Sequence, residues 1–337
     1  MAMPDFFNSS AFDAVSLTRG INKFPNTYGR LGELGVFRET GVTTRTIIVE
    51  EQNGVLNLLP SRSIGSPGTL GTIGKRKVRS FVIPHIPHDD VVLPEDVQGV
   101  RAFGSENALA GINELMARKL MTMSMKHDIT REFLRMGALK GIILDGDGAT
   151  TLYNLYTEFG ITAKVINFAL TTSTTEVISK TLELKRHIED NLLGESMTGI
   201  HVVCSPEFYD SFTTHANVKE AYKYFQSTQR LSGDYRMAFE FGGVTFEEYR
   251  GQASTASGST VRFIAANEAH AYPVNTQNTF EIFNAPADFN EAVNTPGLPK
   301  YAKQSERKFG RGWDLHTQSN PLAICKRPEV LVKLTRS

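Results

Sequence analysis

The strongest metal-binding pattern in this sequence is Pro84-His85-Ile86-Pro87-His88-Asp89-Asp90. Two histidines three residues apart, followed by two acids, offer nitrogen and oxygen donors, but a zinc site normally recruits further His or Cys groups. Neither Cys204 nor Cys325 is near in the chain. Pro84 and Pro87 hold the backbone extended, so these polar groups read as structural, for hydrogen bonding or pairing with arginine. Asp145-Gly146-Asp147-Gly148-Ala149-Thr150 begins like a calcium loop, yet that loop asks for Asp or Asn fifth and Gly sixth, where Ala149 and Thr150 stand. A turn between a helix and a strand is the better reading. The glycine-rich run ending at Gly74-Lys75 resembles a phosphate loop but has Thr69 in place of its first glycine and Arg76 in place of its Ser or Thr. No Gly-x-Ser-x-Gly elbow occurs and no Cys–His pair is suggested locally. His127, His187, His201, His215, His270 and His316 are scattered, and isolated histidines default to packing or surface roles.

The elements that would have to position such groups follow from the hydrophobic pattern. Residues 1 to about 40 hold short apolar pieces broken by Pro25, Gly29, Gly32 and Gly35, which predicts an extended arm that packs on something else. In TTRTIIVEEQNGVLNLLP two strand-like runs flank Asn53-Gly54, a pair suited to a tight hairpin turn. The run SRSIGSPGTLGTIGKRK has no core period and carries Gly65, Gly68, Gly71 and Gly74, so it reads as a mobile tip, and VRSFVIP returns as a strand. Residues 42–90 thus describe a long projecting hairpin. From Ser105 to about Met136, Leu109, Ile112, Met116, Leu120, Met123, Thr130 and Leu134 recur at helical spacing, with Gly137 able to end the run. About 32 residues at 1.5 Å each give a rod of roughly 48 Å. The methionines at 116, 121, 123, 125 and 136 read as core or interface filling.

Helices and strands then alternate. Thr175–Leu193 is amphipathic through Val177, Ile178, Leu182 and Ile188 and is closed by Gly194. GIHVVC reads as a buried strand, Ser205-Pro206-Glu207 as a helix start, and Asn217 to Glu220 as a capping box opening another helix. FEFGGVTFEEY turns at Gly242-Gly243, and VRFIAA and PEVLVKL are further strands. If two domains exist in 337 residues, they share chain segments.

Composition narrows the function. Lys plus Arg and Asp plus Glu both number 36, so the formal net charge is zero. A dedicated nucleic-acid binder carries a basic excess, whereas neutrality permits self-association. Two distant cysteines do not make a disulfide framework, and reduced thiols are expected. The first residues lack the basic and apolar regions of a signal peptide, and no run approaches the roughly 18 apolar residues of a membrane span.

At this point PNTYGRLGELGVF (25–37), TTRTIIVEEQNGVLNLLP (43–60), RSFVIPHIPHDDVVLPEDVQGVRAFG (79–104), HDITREFLRMGALKG (127–141), FEFGGVTFEEYRG (239–251) and HTQSNPLAICKRPEVLVKL (316–334) carry a resemblance to the phage major capsid protein E family, in the family's order. The resemblance implies an α+β subunit of the Hong-Kong-97-type capsid fold. An N-terminal arm would span 1–41, an E-loop 42–90, a peripheral (P) domain 91–171 and 276–337 with a spine helix near 103–137, and an axial (A) domain 172–275. It implies hexamers and pentamers of one chain closing an icosahedral shell around double-stranded DNA, touched without sequence specificity. No catalytic, cofactor-binding or metal residue is expected, and Gly65, Gly68, Gly71 and Gly74 would serve assembly at the E-loop tip. Expected partners are a separate scaffolding protein, a portal and a decoration protein, with no membrane. Assembly would occur in the host bacterial cytoplasm and the product would be the virion shell. The alternatives are another head or tail structural protein, or a metal-dependent α/β enzyme using His85 and His88.

Overall fold

A computed structural model of the chain describes residues 14–23, 29–52, 76–97, 108–225 and 239–337. The chain forms two compact units that share segments. One comprises Met1–Ile47, Phe81–Arg135 and Glu281–Ala323, and the other Ile48–Ser80, Met136–Phe280 and Ile324–Ser337.

The first unit is built on the long helix Ala108–Lys140, 33 residues in one run, which belongs to it as far as Arg135. Its early face is apolar: Met116 and Met123 pack with Val92 and Leu315, and Leu120 packs with Leu17, Ile21 and Ala302. A three-stranded antiparallel sheet supplies the partners, in the order Tyr301–Glu306, Trp313–Ser319, Ile86–Val92. A second small sheet sets Arg38–Gly41 parallel to Phe280–Asn284, which neighbours Pro321–Cys325. The expected extended arm is corrected here, because Ala14–Lys23 is a helix. Leu17 and Ile21, four residues apart on one face, are buried on the chain's own core. Thr18 Oγ1 fastens it by donating to Ala302 O (3.2 Å) and accepting from Ala302 N (3.1 Å).

In the second unit six strands form a mixed sheet in the order Lys164–Asn167, Val332–Thr335, Glu268–Val274, Gly199–Cys204, Val244–Glu248, Phe239–Phe241. The central GIHVVC strand is buried along Ile200–Cys204, as its unbroken apolar run predicts. Over the sheet lies an aromatic cluster in which Phe212 stacks on Phe246 at 4.1 Å between centroids and meets Phe239 and Phe241 edge-on. Ser205 caps Pro206–Thr214 by accepting from Phe208 N, as expected. Gly242 and Gly243, both at positive φ, make the turn between the antiparallel strands Phe239–Phe241 and Val244–Glu248.

Several local readings are revised. Gly137 does not end the long helix, which continues to Lys140 before Gly141. Instead, a Cβ at Gly137 would stand 3.0 Å from Ile143 Cα and 3.1 Å from Ile142 O, so the glycine allows a close backbone approach. Asn217 does not cap Ala216–Phe225; its side chain donates to Thr175 O at 2.8 Å. Ile178 and Leu182 lie on the exposed side of Val177–Asn191, whose buried face is Val177, Thr181, Leu184 and Ile188. Of VRFIAA only Val261 and Arg262 are strand, in Thr260–Arg262. The Asp145–Thr150 turn joins two short strands, Ile142–Leu144 and Thr151–Asn154, with Asp147 Oδ1 accepting from the amides of Ala149 and Thr150. The strands Thr46–Gln52 and Arg76–Val82 pair as the predicted hairpin arms. Ile86–Val92 is used instead in the three-stranded sheet. The Asn53-Gly54 turn and Gly65, Gly68, Gly71 and Gly74 lie outside the described residues.

Gly137→Ala tests the close approach. The added methyl gains about 1 kcal/mol of helix propensity, but crowding against fixed backbone costs about 1–3 kcal/mol. We expect a lower midpoint in urea unfolding; an increased midpoint would show that the gap at Ile143 is slack.

Candidate functional site

The helix face that begins with Met116, Leu120 and Met123 changes character after Ser124. His127, Asp128, Arg131, Glu132 and Arg135 are all buried. Their one- and three-residue steps keep them on neighbouring rows of one helix side. Arg131, with 4% of its side chain exposed, is the hub. Its Nη1 donates to Asn284 Oδ1 (2.8 Å) and reaches Pro299 O (3.3 Å) and Ser319 Oγ (3.5 Å). Its Nη2 donates to Glu39 Oε1 at 2.9 Å, and Arg135 Nη2 donates to the same oxygen at 2.9 Å. Burial on its own raises the Glu39 pKa, but the two guanidiniums outweigh it and hold the carboxyl below its ordinary range.

Glu132 extends the frame towards the N-terminal segment. Its Oε1 accepts from Leu31 N at 2.8 Å while Oε2 receives Arg135 Nη1 at 3.5 Å. The chain passes so close that a Cβ on Gly29, at φ 134°, would lie 2.7 Å from Oε2. On the next rows Lys300 Nζ donates to Ser124 Oγ (2.7 Å) and pairs with Asp128 Oδ1 (2.7 Å). Three acids thus face three cations within one unit. Thr317 Oγ1 donates to His88 O (3.1 Å), so His127 Nε2 donates its proton to that hydroxyl at 3.0 Å. Burial first, then the neighbouring His88, Lys300, Arg131 and His316, depress the His127 pKa to about 3. Periodicity alone missed these five helix residues. Their signal was a charged stripe in register with the apolar one.

The structure does not bring His85 and His88 together. His85 Nδ1 donates to Asn320 Oδ1 at 2.9 Å, whereas His88 Nε2 faces Lys126 Nζ at 3.0 Å and its ring meets His127 edge-on. Asp89 pairs across the strands with His316, its register partner, and Asp90 lies 3.7 Å from Lys119 Nζ. These polar groups are used structurally, but the acids meet a histidine and a lysine where pairing with arginine was expected. Among the described residues no three His, Cys, Asp or Glu groups stand together as metal ligands. His201 accepts or donates at Tyr272 OH (2.9 Å) and faces Glu247 (3.1 Å), and His187 donates to Glu329 O (3.0 Å). His270 is buried beside Glu268. Both cysteines are buried, and burial pushes both thiols up, so they stay protonated. Chemically the arrangement ties elements together: each charge on the helix face has an opposite charge or hydrogen bond to another segment.

Two outcomes test this frame. Removing one partner of a buried ion pair costs about 3–5 kcal/mol. Glu39 is partly solvated, so Arg131→Met should sit in that range and Glu39→Gln below it, at about 1–2 kcal/mol. The double variant should cost less than the sum, and strict additivity in urea unfolding would mean the two groups do not interact. His127 binds a proton in the unfolded chain near pH 6.5 but in the folded chain only near pH 3. The unfolded state therefore takes up more protons between those values, and the His127 contribution is complete above pH 6.5 and falls as pH drops towards 3. His127→Gln should flatten that part of the stability–pH curve, and an unchanged slope would remove His127 as its source.

Comparison with known proteins accounts for a scaffold built this way. The profile of the family described as phage major capsid protein E matches residues 13–336. The major capsid protein of Pseudomonas phage KPP10 is 31% identical over 338 residues, covering 96% of both chains. That of Salmonella phage Felix O1 is 31% identical over 355 residues, again covering 96% of each. Among solved structures, a prophage protein of E. coli CFT073 aligns with a TM-score of 0.59 at 13% identity, over 98% of this chain and all of that one. The capsid of Ralstonia phage GP4 aligns with a TM-score of 0.51 at 9% identity, over 90% and 87%. The architecture is the α+β capsid fold of the Hong-Kong-97 type, and the chain belongs to the phage major capsid protein E family.

Proposed function

We infer that this chain is the major capsid protein of a tailed bacteriophage, assembling into hexamers and pentamers of an icosahedral shell around double-stranded DNA. The observation that carries the reading is the family match along nearly the whole chain, residues 13–336. A surface feature supports it. On the hairpin arms, Ile47, Val49 and Phe81 are buried, while Ile48 (65%), Val78 (61%) and Val82 (58%) expose a second apolar face. Alternate residues of a strand point to opposite faces, so this hairpin is apolar on both. The outer face is exposed in the described subunit, and a neighbouring copy in a shell would cover it.

In this reading the segments before residue 42 act as the N-terminal arm, although its helix Ala14–Lys23 is docked on the subunit's own core. Residues 42–90 act as the E-loop, 91–171 and 276–337 as the P domain around the long helix, and 172–275 as the A domain. Gly65, Gly68, Gly71 and Gly74 at the loop tip adapt the loop to different lattice positions, because glycine adopts conformations closed to other residues. A scaffolding protein guides assembly in the host cytoplasm, and a portal occupies one vertex. DNA is touched at its phosphates by dispersed Arg and Lys, and a chain with 36 basic and 36 acidic residues binds it only weakly as a free subunit. Catalysis is not part of this reading: His85 and His88 have separate partners within the fold.

Electron microscopy of the chain coexpressed with its scaffold tests the assignment, with closed shells expected and rings, tubes or lasting monomers opposing it. Deleting residues between Ser63 and Gly74 separates loop from body. The melting transition should survive, and shells should be absent or misshapen. Normal shells would remove the assembly role of the tip, and a lost transition would place it in the core.

A further inference from the structure

In the second unit a cleft of about 420 Å³ is lined by Leu170, Thr171, Ser173, Ser211, Thr214, His215, Ala216, Lys219 and Arg336. Its chemistry is one-sided: two cations and four hydroxyls, and no carboxylate among the lining side chains. Lys219 is exposed, and among the described residues its ammonium has no ion-pair or hydrogen-bond partner. Arg336 donates one Nη to Asn267 Oδ1 at 3.0 Å, while its Nε is shut off from solvent with no partner.

The walls are held in place by bonds independent of any ligand. His215 Nε2 donates to Thr172 O (3.0 Å) and His215 Nδ1 accepts from Asn217 N (3.4 Å), fixing the 170–173 loop against the start of helix Ala216–Phe225. Asn217 Nδ2 donates to Thr175 O (2.8 Å) and Leu170 N to Arg336 O (2.8 Å), closing the other side. Thr214 and Ser211 give their hydroxyl protons to Asp210 O and Glu207 O. Thr171 and Ser173 have no such partner among the described residues and keep free donors facing the cleft.

We propose that this cleft binds a phosphate group. Two cations, free hydroxyl donors and the amide end of a ten-residue helix together suit a tetrahedral oxyanion bearing more than one charge. The volume exceeds that of orthophosphate, leaving room for the sugar of a phosphate ester. No aromatic side chain other than His215 lines it, so a base would have no ring to stack on. The ligand is therefore held by its phosphate, whether that belongs to a DNA backbone or to a free phosphate ester. The proposal does not depend on the shell assignment.

The test is a titration of the full chain, as soluble subunits, with inorganic phosphate followed by calorimetry and phosphorus NMR. A short duplex of arbitrary sequence is the competitor. Lys219→Ala, at an exposed position, should leave thermal unfolding unchanged and weaken phosphate binding about tenfold. Arg336→Gln should weaken it similarly. Competition by the duplex assigns the site to DNA backbone, and phosphate binding without competition assigns it to a free phosphate ester; both support the site. No phosphate binding at tens of millimolar, or the same affinity in wild type and Lys219→Ala, would overturn it, with shell formation untouched in either case.

Discussion

Arg131 sets the terms for the first unit. A guanidinium withdrawn from water is costly unless every direction it points in meets an acceptor. Here those acceptors come from Glu39, Asn284, Pro299 and Ser319, four separate stretches of chain. None of them can move far without stranding the charge. The frame adds little net stability over a well-packed apolar core, because desolvation offsets most of the Coulomb gain. Its use is in specifying one arrangement: oil-like side chains tolerate sliding, whereas paired charges do not. A subunit whose copies must match one another across a lattice benefits from that definition.

The second unit solves the same problem with shape. Phe208, Phe212, Phe239, Phe241, Phe246 and Phe168 interlock over the sheet. Rings in edge and stacked contact have few alternative packings. Polar groups are also buried there, His201 against Glu247 and His270 beside Glu268, and the exposed side of Val177–Asn191 carries the apolar pair Ile178 and Leu182. Both units leave apolar groups outside, most clearly on the hairpin arms. With no net charge to repel a second copy, such surfaces favour association of like with like.

Much of the fold was legible in the residues themselves. The long helix, the buried GIHVVC strand, the Ser205 cap and the Gly242-Gly243 turn are local: helical or strand periodicity, a side chain capping its own backbone, or glycine's access to positive φ determines each within a few residues. The family resemblance was equally legible, because it is spread along the chain.

What only the tertiary structure decided depends on partners far away in sequence. Gly137 reads as a helix stop until Ile143 is seen packed against it. Leu17 and Ile21 read as arm residues until Leu120 and Ala302 are seen beneath them. Nothing local requires Arg131, Glu132 and Arg135 to be buried, since a charge is by default left in water, and only Glu39, Leu31 and Asn284 arriving from elsewhere make their burial possible. His85 and His88 read as a pair because they are neighbours in the chain, and the fold gives them different partners. Local sequence determines which conformation a segment prefers. Which groups can afford to leave water is settled by the three-dimensional meeting of segments that no local pattern encodes.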